Sequence, residues 1–180
     1  VGDHVFVPGA NCYEKEKGLF GASSSLLIAS DEKLIKIDSE LKAKGTLFAL
    51  AATARHALAG LGNKLPSLII GHGVLGRLLA RLTIAAGGEP PTVWESNPLR
   101  VGHQTDYNVI DPLKDSSADH AAIYEASGDI SVLDKVIPKL KKNGEIVLAG
   151  FYSSPISFSF PPAFIKEARF RISAEFNIED

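Results

Sequence analysis

Six residues, Gly71-His72-Gly73-Val74-Leu75-Gly76, place three glycines in the spacing G-x-G-x-x-G. That pattern suits the binding of a pyrophosphate. Gly71 permits a tight turn, and Gly73 has no side chain to hold a diphosphate off the backbone. Gly76 lets a helix lie close to the strand before it. The first turn of that helix, with Val74 and Leu75 in it, offers free N–H groups and the positive end of the helix dipole. Glu95 lies 24 positions after Gly71 (95 minus 71). A carboxylate there accepts hydrogen bonds from both hydroxyls of an adenosine ribose and repels a 2′-phosphate, which selects NAD over NADP. Arg100 is close enough to stack on an adenine or to tolerate a phosphate. The plainer alternatives are a glycine-rich turn without a ligand and a solvated acid at a strand end.

The elements around these residues support the nucleotide reading. Leu68-Ile69-Ile70 is a short, continuously apolar run, as in a parallel strand covered on both faces. Leu75, Leu78, Leu79, Leu82 and Ala86 recur at helical spacing, with Arg77 and Arg81 on another face. Further strands are expected at Thr92-Val93-Trp94, Val109-Ile110, His120 to Tyr124, Glu145 to Ala149 and Phe170 to Ser173. Val132 to Leu140 reads as a helix interrupted by Pro138, and Phe158 and Phe160 alternate with serine like an edge strand. Strands alternating with helices imply an α/β fold with a parallel, doubly wound Rossmann sheet. Earlier, Ser25 to Ala29 and Leu34 to Ile37 read as short strands, and Leu47 to Leu58 as an alanine- and leucine-rich helix. A domain boundary is placed near residue 46, with 1–45 β-rich and 46–180 the nucleotide domain.

Two more loops follow expected strands, where open α/β sheets bind ligands. Ala126-Ser127-Gly128 is positioned to approach the ribose between pyrophosphate and nicotinamide. Gly150-Phe151-Tyr152 is positioned to flank the nicotinamide, or simply to pack under a loop. Thr53 could donate to a phosphate or face the nicotinamide. His56 reads as structural, and the His72 side chain is expected to point away from the phosphates.

Composition narrows the class. The chain has 180 residues, 45% of them hydrophobic and 22% charged, with a formal net charge of −2. These values exclude a disordered chain and give no reason to expect nucleic acid or an acidic membrane as partner. A single cysteine, Cys12, excludes an internal disulfide and a cysteine-rich zinc site, and points to a reducing, cytoplasmic setting. No apolar run reaches the ~18 residues of a membrane span.

Several stretches together resemble the medium-chain dehydrogenase/reductase superfamily. They are Val1-Gly2-Asp3-His4-Val5, Thr53-Ala54-Arg55-His56-Ala57-Leu58, the glycine motif, Glu95 with Arg100, and Glu125-Ala126-Ser127-Gly128. A narrower likeness rests on Gly18 to Ala22, Ala49 to Ala54, Gly71 to Leu78, and Gly150-Phe151-Tyr152 leading to Phe158 through Phe164. It is to the dehydrogenases of bacteriochlorophyll synthesis. That resemblance implies an NAD-dependent secondary-alcohol dehydrogenase that oxidises a 3-(1-hydroxyethyl) group on a tetrapyrrole ring to 3-acetyl. It also implies that residues 1–45 are the tail of a GroES-like catalytic domain. A homodimer formed through an edge strand near Ile156 to Phe160 is implied as well. Ala49 stands where zinc-dependent relatives carry a catalytic ligand, so zinc is doubtful. No catalytic base is identified, with Tyr152 and His56 as weak candidates. The alternatives are a zinc-independent quinone or enone reductase and a nucleotide-binding module without catalysis.

The sequence contains no methionine. Gly2-Asp3-His4-Val5 matches a point inside the family's catalytic domain. The chain is therefore expected to be an internal piece that binds NAD but is inactive alone.

Overall fold

The computed structural model describes residues 2–8, 25–59, 62–102, 106–177 and 180. Its centre is a parallel sheet of six strands: β3 (Leu68–Ile70), β4 (Thr92–Trp94), β5 (Asn108–Ile110), β6 (His120–Glu125), β7 (Leu140–Leu148) and β8 (Arg169–Ile172). Their order across the sheet is β5-β4-β3-β6-β7-β8. The chain builds outward from β3 to β5 and then returns to add β6 on the other flank of β3. The β3–β6 boundary is thus the topological switch point, where ligands of open α/β sheets bind. A separate antiparallel pair, β1 (Val5–Phe6) with β2 (Ile35–Lys36), precedes the sheet.

Strand alternation divides the core into two layers. Leu68 and Ile70 of β3, Trp94, Ile123, Ile146 and Leu148 face one side, where they meet Leu133, Val136 and Ala163. Those last three belong to α3 (Leu133–Val136) and α4 (Phe160–Lys166). Ile69, Val93, Tyr124 and Val147 face the other side and meet Ala54, Ala57, Leu79 and Ala80. These lie on α1 (Phe48–Leu58) and α2 (Val74–Ala85). Both faces of β3 are covered, which explains its unbroken apolar run. The small buried residues Gly76 and Ala80 bring α2 close to the sheet, while Arg81 points outward to Asp106.

Three sequence expectations are corrected. Ser25 to Ala29 forms no strand, and Leu26 and Ile28 are 88% and 94% exposed. Nor does Ile156 to Phe160. Phe158 stacks on Phe170 of β8 at 4.7 Å, and Phe160 opens α4. The cause is Pro161-Pro162. Proline has no N–H for a ladder but suits the first turn of a helix. The sheet edge there is β8. Finally, the helix expected over 132–140 breaks into a 3₁₀ turn (Ile130–Val132), the single turn α3 and another 3₁₀ turn (Ile137–Lys139) around Pro138. Cys12 and Gly18 to Ala22 lie outside the described residues.

Candidate functional site

Register sets the site. Ile70 lies opposite Trp94 on one side and Glu125 on the other, so β4, β3 and β6 end level. The next residues, Glu95, Gly71 and Ala126, therefore stand side by side. Backbone bonds carry the pairing one step past the strands: Gly71 N–H donates to Trp94 C=O (2.9 Å) and Ala126 N–H to Ile70 C=O (2.9 Å).

The three glycines have separate geometric reasons. Gly71 has φ 95°, a left-handed value that favours glycine, and a Cβ there would lie 3.0 Å from Ser127. A Cβ on Gly76 would overlap the Gly71 carbonyl oxygen. Gly73 differs: a Cβ there would meet nothing within 4 Å. Packing within the domain therefore gives no reason for glycine at 73. Gly73 is also the residue that caps α2, and its carbonyl accepts the first helical bond from Arg77 N–H (3.0 Å). The N–H groups of Val74, Leu75 and Gly76 have no acceptor within the helix.

Glu95 is 8% exposed. Oε2 accepts from His72 N–H (3.2 Å) and Oε1 from Asn97 N–H (2.8 Å). Each oxygen has a second lone pair able to accept another bond. A cleft of about 290 Å³ opens over these groups. Of the residues proposed from the sequence, Gly71, Gly73, Glu95, Arg100, Ala126 and Ser127 line it. Trp94, Ser96, Pro112, Asp129, Val132 and Lys135 line it too. Nothing in their residue types or spacing marked these as part of a site.

The remaining expected residues lie outside the cleft lining. The Thr53 hydroxyl donates to Ala49 C=O on its own helix (3.0 Å). Phe151 is 89% exposed. Gly128 and Gly150 pack backbone against backbone: a Cβ on Gly150 would sit 2.7 Å from Gly128 N, and one on Gly128 the same distance from Phe151 O. His56 Nδ1 is 2.7 Å from Asp180 Oδ2, in a separate depression with Arg171.

Glu125 belongs to one of the stretches that carry the family resemblance, but the sequence assigned it no role of its own. It is fully buried. Its carboxylate accepts from Ser127 N–H (2.7 Å), Gly128 N–H (3.1 Å), the Ser127 hydroxyl and the Tyr152 hydroxyl. Its main-chain carbonyl accepts from Ala149 and Gly150 N–H (2.8 and 2.9 Å). One residue thus fastens the loop after β6 to the loop after β7. The available signal was position: like Glu95, it is an acid closing an apolar strand. Burial and the Glu125 carboxylate hold the Tyr152 phenol above its ordinary value. The Tyr152 hydroxyl donates to Glu125, an arrangement that disfavours it as a general base.

Among the described residues, no three His, Cys, Asp or Glu side chains converge as metal ligands. Ala49 lies on α1 and carries no metal-ligating group. No described helix is long and apolar enough to cross a membrane.

Two histidines give the domain a pH signature. Burial lowers the pKa of His72 and of His120 below 6.5. The unfolded chain then takes up protons first as the solution is acidified, so their stabilisation is complete above about pH 6.5 and fades below it. The thermal midpoint is expected to fall between about pH 7 and pH 5, before most carboxylates titrate. A midpoint that stays level across that interval contradicts the neutral assignment.

A parallel sheet with this order and a glycine turn at its switch point define a Rossmann-type α/β fold. The solved structure of S. aureus TarJ in complex with NADPH shares the fold, with a TM-score of 0.72 at 17% identity over 85% of this chain and 52% of that one. Among curated proteins, the chain is 56% identical over 99% of its length to the 2-desacetyl-2-hydroxyethyl bacteriochlorophyllide A dehydrogenase of Cereibacter sphaeroides. It is 54% identical, again over 99%, to the protein of the same name from Rhodobacter capsulatus. The chain spans 58% and 57% of the lengths of these relatives. No protein-family model matches it.

Proposed function

We propose that the cleft binds NAD and that the protein oxidises a 3-(1-hydroxyethyl) group on a bacteriochlorophyllide to 3-acetyl. The observation that carries the cofactor half is Gly73. It is a glycine with open space at its missing Cβ, at the start of a 12-residue helix, beside a buried carboxylate. The pyrophosphate lies on the N–H groups of residues 74–76. The free lone pairs of Glu95 accept the two ribose hydroxyls, and its charge disfavours a 2′-phosphate. The bound nicotinamide supplies the hydride acceptor. The substrate half rests on the names of the two relatives and their identity along nearly the whole chain.

Within this reading, residues 1–45 belong to a catalytic domain and 46–180 to the nucleotide domain. The protein is a homodimer, paired through β8 rather than through residues 156–160. Among the described strands β8 pairs only with β7, and its Ile172 is 76% exposed. Such an edge needs a cover.

The decisive assay supplies the full protein with hydroxyethyl bacteriochlorophyllide and NAD and looks for the acetyl product. Its absence overturns the substrate half. For the cofactor half, Glu95→Gln is expected to weaken NADH binding about 10- to 100-fold, from the loss of charged hydrogen bonds of about 1.5–3 kcal/mol. NADPH affinity should be nearly unchanged or improved. Equal affinity of the variant and the parent for NADH removes Glu95 from the ribose.

A further inference from the structure

His72 occupies the first variable position of the glycine turn, and it reaches across to the loop after β4 at three points. Its N–H holds Glu95 Oε2 (3.2 Å). Its ring Nδ1 lies 2.6 Å from the Arg100 carbonyl oxygen, and its Nε2 lies 2.8 Å from the Tyr107 hydroxyl. The side chain is buried. A carbonyl only accepts, so Nδ1 carries the proton. In the neutral ring, Nε2 then accepts from the Tyr107 O–H. Burial, which lowers the imidazole pKa, keeps the ring in that form. Arg77 Nη2 gives the Arg100 carbonyl a second donor (2.9 Å), but an exposed one.

These contacts tie down both ends of the segment from Glu95 to Arg100. Those two residues have opposite preferences at an adenosine ribose: the carboxylate favours a free 2′-hydroxyl and the guanidinium a 2′-phosphate. With its carbonyl clamped, Arg100 is an exposed residue at the edge of the cleft that Glu95 also lines. Unclamped, the segment can swing the guanidinium toward the ribose, where it attracts a 2′-phosphate and neutralises Glu95.

We infer that His72 is a positioning residue for cofactor choice: its imidazole, oriented by Tyr107, holds Arg100 away from the ribose and so lets Glu95 select NAD. The inference rests on the cleft binding NAD as proposed above.

The test measures dissociation constants of NADH and NADPH for the full chain by fluorescence titration, and reads their ratio. His72→Ala is expected to shrink the preference for NADH about tenfold, the worth of one hydrogen bond to a buried group. His72→Asn places an amide N–H where Nδ1 stood and should restore most of the ratio. His72→Gln places its amide nearer the Nε2 position and should not. Tyr107→Phe, a mild substitution, should lower the ratio about threefold by releasing the tautomer. A histidine that merely supports the fold would raise both constants together in every variant. An unchanged ratio in His72→Ala overturns the inference; if that variant does not fold, an unchanged ratio in Tyr107→Phe does so. A wild-type chain that binds NADH selectively, with ratios that do not move, sinks this inference alone. A wild-type chain that binds neither nucleotide sinks the cofactor proposal with it.

Discussion

Alanine at Gly73 is expected to leave the domain folded and to remove about 100-fold of its NADH affinity, close to 2.7 kcal/mol. The same substitution three residues on, at Gly76, is expected to destabilise the fold severely, by about 3 kcal/mol or more. At Gly73 the backbone has φ −74° and ψ −168°, which alanine adopts without strain, and the new methyl meets nothing within 4 Å. Stability should hold or rise slightly, by about 0.4–1 kcal/mol, because alanine has less freedom to lose on folding. In the proposed binding mode, the methyl would stand in the path of the pyrophosphate to the helix N-terminus. At Gly76 the methyl would overlap the Gly71 carbonyl oxygen. That oxygen belongs to backbone at the end of the central strand and has no rotamer to escape into. Overpacking typically costs about 1–3 kcal/mol and more where backbone must move. This site falls at or above the top of that range, against a total stability of about 5–15 kcal/mol. Thermal melts and NADH titrations on the two variants read both effects. A Gly73→Ala protein with parental affinity would place the pyrophosphate elsewhere.

The second large effect is at Glu125. Truncation to alanine strands two backbone N–H groups and two hydroxyls that now share one buried carboxylate. Each buried donor left without an acceptor costs about 1–3 kcal/mol, although entering water relieves some of them. A loss of about 3 kcal/mol or more is expected in denaturant unfolding. Tyr152→Phe removes only one donor from the same carboxylate and should cost about 1.5 kcal/mol, the low end for a bond to a charged group. If Glu125→Ala is no less stable than Tyr152→Phe, the carboxylate is not the fastening of these two loops.

Much of the sheet was legible because its strands obey a simple rule. Leu68–Ile70 and Thr92–Trp94 come out with the bounds their composition suggests, as buried parallel strands between turn residues do. The glycine turn was legible for the same reason: steric demands at Gly71 and Gly76 are local. The cleft's far wall was not. Pro112, Val132 and Lys135 come from loops and short turns whose side chains meet only after β5 and β6 are placed. Phe158-Ser159-Phe160 alternates like a strand, yet the prolines that follow govern the segment. Glu125 and Tyr152 are 27 residues apart, and nothing local announces their hydrogen bond.

The place of β3 in the sheet also bears on how the chain reaches this state. Its neighbour β4 begins at Thr92, but its other neighbour β6 pairs Leu68 with Ile123. The central ladder therefore closes over roughly half a hundred residues, a non-local contact whose loop entropy is lost before any pairing repays it. Folding on the slow side for a chain of this size follows. During synthesis β3, β4 and β5 emerge before β6, and one flank of the most apolar strand waits without its partner. That interval, rather than the finished sheet, is when the chain is most exposed to pairing with a neighbour.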